Sequence, residues 1–381
     1  MALTDPNEAR YKTRKLIAQP SQFIFGGQKP IFTIVLAFYT PIPKDSPMGK
    51  GWACAHTLLI DLPGTGKTAL LNYASSAIQA KLGRIDGRPD YMPTDFTGRE
   101  EKDTLTKTRT LLKGPLHCNI FFADEINRTP PKTQAPMLGA MEGGNVYMNI
   151  FNEIEKRIDS SPFPLYPISA DPNETRMYFI VIATMNPIEF EGTYPLSEAQ
   201  KERFTISCDM GVPTREEEDM IRPENVMGKR VEVVMNLGEV LDIQEMVKKV
   251  KLSKDAYELK MRYVENSWPY SRDNTRFGGL RERHAKKDLA KFINEFVTSG
   301  CSRRRHYHMI MAAKSHRLLS LFLESDQPIE NLDNIVATVD DMKAIAPLTM
   351  EHVIRLEPRS LGENITEKDV VRKIIEDTEV L

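Results

Sequence analysis

Several familiar patterns are missing from this 381-residue sequence, and each absence narrows what the chain can be. No apolar run reaches the roughly 18 residues that a membrane-crossing helix needs. The best candidate, Ile31 to Tyr39, is too short and is closed by Thr40-Pro41-Ile42-Pro43. Cysteine is scarce, with 4 residues (Cys54, Cys118, Cys208 and Cys301) and no Cys-x-x-Cys pair. Buried free thiols in a reducing compartment are therefore expected, rather than a disulfide framework or a zinc site. Neither sign of charge dominates: the formal net charge is -2, which gives no overall attraction to nucleic acid or to an anionic membrane. The opening Met1-Ala2-Leu3-Thr4-Asp5-Pro6 lacks the basic-then-apolar layout of a secretory signal, so a cytoplasmic location is expected. No HExxH or GxSxG motif, Ser/His/Asp layout or His–Cys metal spacing appears, which argues against protease, esterase and zinc chemistry.

What remains is an ordinary globular composition, 41% hydrophobic and 27% charged, on a chain long enough for two domains plus insertions. Thr57-Leu58-Leu59-Ile60 reads as a short buried strand. It runs into Asp61-Leu62-Pro63-Gly64-Thr65-Gly66-Lys67-Thr68, and a helical stretch is expected from Ala69 to about Leu82. Strand, glycine loop, Lys-Thr and helix form the Walker A arrangement, whose backbone N–H groups cradle phosphates at a helix N-terminus. Pro63, Gly64, Thr65, Gly66, Lys67, Thr68 and Ala69 are thus the expected contacts to ATP. Lys67 would reach the β- and γ-phosphates, and the Thr68 hydroxyl would join a Mg²⁺ shell. Asp61 stands where the first glycine is usual, placing a carboxylate near polyanionic phosphates.

A second buried run, Asn119-Ile120-Phe121-Phe122-Ala123, ends in Asp124-Glu125. Adjacent strand residues point to opposite faces, so the two acids can serve different tasks. In this Walker B layout Asp124 would hold Mg²⁺, and Glu125 would polarise an attacking water. A third run, Met177 to Thr184, is closed by Met185-Asn186-Pro187, where an amide can orient that water or simply cap a strand.

Three long segments then resemble the MoxR family of AAA+ ATPases: Pro89 to Gly98, Asp124 to Gln134, and Asn186 to Leu196. They occur in order and at matching spacing, and the resemblance covers roughly Phe23 to Ile221 well and the remainder more loosely. It implies an α/β fold: a three-layer αβα P-loop core with a parallel sheet, followed by an all-α lid domain. It implies that Asn186 is a first sensor and that Arg203, before Phe204, is an arginine finger for the neighbouring subunit. A second-sensor arginine is implied after Gly300-Cys301-Ser302. Counting selects Arg304, although Arg303 and Arg305 flank it, and such a run also resembles a nucleic-acid contact. The resemblance further implies a homo-oligomer, expected as a hexameric ring, that acts on a protein client. A partner carrying a von Willebrand A domain is implied as well.

The expected organisation is an N-terminal arm (1–22), a core (23–222) with an insertion near 149–173, a helical lid (236–358) with an insertion near 267–291, and a tail (359–381). Helical periodicity begins near Leu237, and Thr338-Val339-Asp340-Asp341 reads as a helix start. Glu101 to Leu112 reads as a hairpin. Asn152-Glu153-Ile154-Glu155-Lys156-Arg157 reads as a short helical piece inside the first insertion, which is expected to face client. An active motor is the leading function. A nucleotide-binding scaffold crippled by Asp61 and, more remotely, a nucleic-acid translocase are the competing ones.

Overall fold

The computed structural model describes residues 2–20, 28–46, 49–60, 66–152, 155–165, 176–186, 192–211, 215, 231–269 and 285–380. The chain opens with α1 (Pro6–Ala18), α2 (Gln28–Tyr39), a hairpin of β1 (Pro41–Ser46) and β2 (Gly49–Cys54), then β3 (Thr57–Ile60) and α3 (Lys67–Ala77). Next come β4 (Leu82–Asp86), α4 (Pro93–Thr97), β5 (Gly98–Lys102), β6 (Arg109–Lys113) and β7 (Ile120–Asp124). The remainder of the core is α5 (Pro131–Gly143), β8 (Asn145–Asn152), β9 (Arg157–Pro164), β10 (Ile180–Met185), α6 (Glu198–Lys201) and β11 (Ile206–Cys208). A helical region follows, with α7 (Leu237–Lys249), α8 (Lys254–Asn266), α9 (Lys287–Phe296), α10 (Arg305–Glu324), α11 (Val339–Met350) and α12 (Glu367–Asp377).

The central sheet has the order β11-β3-β10-β7-β4, and every neighbouring pair is parallel. Its strands are the near-continuous apolar runs of the sequence because helices cover both faces. Ile120, Phe122, Ile180 and Ile182 enter one core cluster with residues of α2, α3 and α7. Phe121, Ala123, Val181 and Ala183 enter the other, with Met137 and Met141 of α5. The helical region has a third cluster, including Leu259, Tyr263, Ile293, Met309, Ile345 and Ile374. An αβα core followed by a helical region is thus the architecture expected from the sequence, with two short strand pairs, Lys251–Leu252 with Val336–Ala337 and Val297–Ser299 with Arg355–Leu356, within the helical part.

Its boundaries differ in two places. The helix after the phosphate loop stops at Ala77 instead of running to Leu82, because Gln79 turns left-handed (φ 51) and the chain enters β4. The segment around Asn152 to Arg157 is not helical among its described residues. Asn152 and Arg157 are instead the outermost pair of a hairpin in which β8 and β9 run antiparallel from Asn145↔Pro164. Cross-strand pairing over that length outweighs the local helical preference of Glu-Lys-Arg. The β5–β6 hairpin stands where Glu101 to Leu112 predicts one.

Beyond the apolar packing of α7 and α10 on α2, two polar joints tie the helical region to the rest of the chain. Arg305, fully buried, uses every N–H of its guanidinium. Its Nε donates to Glu202 Oε2 (3.1 Å), Nη1 to Thr205 O (3.2 Å) and Thr349 O (3.1 Å), and Nη2 to Glu202 O (2.8 Å) and Phe204 O (2.7 Å). The contacts of the helical region with the sheet thus run along β11, continuing through His352, which donates to Phe204 O at 3.0 Å, and through the Lys368–Asp209 ion pair. At the second joint α1, inside the predicted arm, packs on α10 of the same chain. Arg14 Nε donates to Phe322 O (2.6 Å), a last-turn carbonyl that α10 leaves open, and Arg10 Nη1 donates to Gln327 O (2.7 Å) just beyond the helix.

Candidate nucleotide site and paired-arginine site

Because the sheet is parallel, the C-terminal ends of β3, β7 and β10 lie at one edge. Asp61 to Thr65, which includes Pro63, Gly64, Thr65 and the departure at Asp61, lies outside the described residues; so does Pro187 to Glu191, after Asn186. Gly66 caps α3 with φ 82, a conformation only glycine adopts without strain. Lys67 and Thr68 open the helix and Ala69 follows in its first turn, with Lys67 only 8% exposed. Thr68 Oγ1 lies 3.5 Å from Asp124 Oδ2 at the tip of β7. The hydroxyl and the carboxylate singled out by sequence are therefore brought together.

Thr184, at the end of β10, ties the acidic pair. Its hydroxyl donates to Asp124 Oδ1 (2.7 Å) and accepts from the Glu125 backbone N–H (2.7 Å). Glu125 sits in the left-handed region (φ 49), uncommon for a residue with a side chain, and pairs with Arg128 at 3.1 Å. The chain passes so close here that a Cβ on Gly87 would stand 2.1 Å from Glu125 O. The Gly87 N–H donates to Asp124 O at 2.7 Å. Asn186, buried at 6% exposure, follows Thr184 and Met185, and Asn127 Nδ2 donates to its carbonyl at 3.2 Å. Arg84 of β4 reaches the same corner: it lies 3.2 Å from Asp124 Oδ2 and 2.7 Å from Asp86 Oδ1, with its guanidinium over the Phe122 ring.

Arg203 and Arg304 are elsewhere. β11 pairs with β3 at Ile206↔Thr57, and Thr205 N–H donates to His56 O (2.8 Å), so Arg203 precedes the start of the sheet. The length of β3, roughly 13 Å at ~3.3 Å per residue, lies between that end and the phosphate loop. Arg203 Nη1 donates to Ala199 O (2.9 Å), and its Nη2 to Glu142 Oε2 (3.0 Å). Arg304 Nη2 donates to the other oxygen, Glu142 Oε1, at 3.1 Å. The Arg203 hydrogen bond, then that of Arg304, holds the Glu142 carboxyl below its ordinary range. The two arginines border a cavity of about 280 Å³ with Cys54, His56 and Met141 on its floor. Of the three adjacent arginines, Arg305 is buried in the joint and Arg304 is paired, so the run is not a free basic patch.

Sequence reasoning missed Thr184, Arg84, Gly87 and Glu142. A threonine ending an apolar strand was a usable signal for the first. The other three carry none, since only the packed fold brings them to their partners.

A P-loop sheet with a hydroxyl–carboxylate pair at its C-terminal edge and a helical region behind defines an AAA+ ATPase. A family profile described as "ATPase family associated with various cellular activities" matches residues 56–158 and 167–206. The uncharacterized protein YeaC of Bacillus subtilis is 31% identical over 331 residues, covering 86% of each chain. Chaperone MoxR1 of Mycobacterium tuberculosis is 27% identical, covering 84% of this chain and 73% of its own length. Protein MoxR of Paracoccus denitrificans is 25% identical, covering 80% of each. A crystal structure from Cytophaga hutchinsonii, described as a candidate ATPase, superposes with a TM-score of 0.71 at 22% identity, covering 98% of this chain and 97% of that one. The chain belongs to the MoxR family of AAA+ ATPases.

Proposed function

We propose that the chain hydrolyses ATP at the interfaces of a ring of its own copies, expected to be hexameric, and uses the cycle to remodel or mature a protein client. The observation that carries this reading is the separation of two half-sites. Lys67, Thr68, Asp124 and Glu125 stand at the C-terminal edge of the sheet, while Arg203 and Arg304 stand at the opposite end. A guanidinium beyond reach of its own phosphate loop serves a γ-phosphate only if a second copy brings one.

On this reading the backbone around Gly66 cradles phosphates and Lys67 neutralises them. The residues present fit a Mg²⁺ ion, because Thr68 Oγ1 and Asp124 Oδ2 are hard oxygen donors 3.5 Å apart; the Arg84 guanidinium, 3.2 Å from that Oδ2, would give way to it. When bound, the ion neutralises charge between the β- and γ-phosphates. Thr184 fixes the rotamer of Asp124 and leaves its Oδ2 turned to that site. Glu125, held in its left-handed conformation, polarises the attacking water, and Asn186 orients it. Arg203 supplies the charge in trans, with Arg304 as the second sensor beside it. The proposal extends to cytoplasmic rings, to client contact by the β8–β9 hairpin, and to a von Willebrand A domain partner. No helix among the described residues is long and apolar enough to cross a membrane.

The test is ATP turnover against protein concentration, with Glu125→Gln as control. Turnover per chain should rise as copies assemble and vanish in the variant while ATP binding persists. Constant turnover per chain from dilute to concentrated protein would sink the interface reading. Tight ATP binding with no turnover at any concentration would favour the scaffold.

A further inference from the structure

Glu142 belongs to no motif, yet it lies between both arginines. It ends α5, the helix that starts just beyond the acidic pair, and its two oxygens are divided, Oε2 to Arg203 and Oε1 to Arg304. The three residues come from α5, the turn after α6 and the start of α10, and meet at the rim of the 280 Å³ cavity. Two guanidiniums this close repel unless a counter-charge lies between them. With Glu142 the cluster still carries one net positive charge toward an incoming polyanion. Without it, Arg304 loses its ion pair and Arg203, among the described residues, keeps the Ala199 carbonyl.

We propose that Glu142 is a positioning residue that sets Arg203 and Arg304 as one unit, so that both reach the neighbouring copy's γ-phosphate together. This rests on the ring reading above. It adds a residue that acts through the two arginines and touches no phosphate itself. A carboxylate that takes one donor from each fork leaves further N–H groups of both arginines available, and an ionised, doubly paired Glu142 needs no proton change to do so. Its ionisation is favoured by the same two hydrogen bonds.

The experiment compares wild type, Glu142→Ala, Glu142→Gln, Arg203→Ala and the double variant Glu142→Ala/Arg203→Ala at concentrations where the wild type is fully assembled. Each chain is also measured for binding of a fluorescent ATP analogue. Glu142→Ala should lower kcat roughly 10- to 100-fold, the scale of a misplaced catalytic group, and leave analogue affinity unchanged. It should cost nothing further on top of Arg203→Ala. Glu142→Gln, which keeps one acceptor oxygen, should fall between and serves alone if the alanine variant does not fold. Undiminished turnover in Glu142→Ala, or losses that multiply in the double variant, would overturn the coupling. A rise in turnover would make Glu142 a restraint and overturn it as well. Wild-type turnover that is independent of concentration would instead remove the ring reading beneath it, so the two failures are told apart.

Discussion

The two ends of the central sheet hold charge in different ways. At the C-terminal end the groups sit on successive strand tips, and their geometry is fixed by backbone: the left-handed Gly66 and Glu125, the close pass of Gly87, and one threonine hydroxyl shared by two acids. At the N-terminal end side chains hold side chains. Arg203 and Glu142 are 61 positions apart, Arg304 and Glu142 are 162 apart, and all three are partly exposed. The first gathers the acidic pair beside the phosphate-loop helix; the second holds two arginines on one carboxylate. A phosphoryl-transfer site draws on both sets, and in this chain they do not coincide in space. That is the physical argument for a second copy.

Substitutions can break this contrast. The largest effect is expected from Lys67→Ala and Arg203→Ala combined in mixed assemblies. Each variant alone should lose activity by about 10³-fold or more, for different reasons: the first fails to bind ATP, the second binds it normally. Mixing the two should restore part of the turnover, because an intact phosphate loop can then meet an intact Arg203. No recovery in mixed assemblies, shown by sizing to contain both chains, would mean that the two ends serve the same copy.

A smaller effect concerns the joint between the ends. Arg305→Leu leaves Glu202 and several carbonyls without their buried donor. Stability should fall by about 3–5 kcal/mol, read as a lower urea midpoint. A loss under about 1 kcal/mol would show that the helical region is held mainly by its apolar contacts.

The smallest effect is set by pH. Burial first, and the Arg305 charge second, push His308 and His352 well below the ordinary 6.5. The folded chain then binds fewer protons than the unfolded one once the pH drops below that value. Stability should be at its full level above pH 6.5 and decline below it, by up to about 1.4 kcal/mol per unit for each histidine. Glutamine at both positions should flatten the decline; an unchanged slope would place its origin in other groups.

What is legible in the sequence depends on whether the information is local. Strands came through because a two-faced buried sheet demands continuous apolar runs, and Asp124-Glu125 because it ends one of them. The register that places Thr184 beside Asp124, the reach of Arg84 across β4, and the meeting of Arg304 with Glu142 are products of packing between distant segments. No local pattern encodes them. The Asn152 to Arg157 segment failed for the reverse reason, since its local preference was legible and the hairpin overrode it. Counting selected Arg304 among three arginines, but only burial separates it from Arg305.

The seat of α1 bears on how the molecule is made. Arg14 closes on a carbonyl 308 positions further along the chain. At roughly 5–20 residues per second of synthesis, the first helix emerges on the order of 15–60 s before its partner exists. Through that interval α1 has its contact with α2, where Thr13 Oγ1 lies 3.0 Å from Tyr39 Oη, but not its seat on α10. α1 is therefore made long before its seat is finished, and α10 must be complete before that helix can be secured on it.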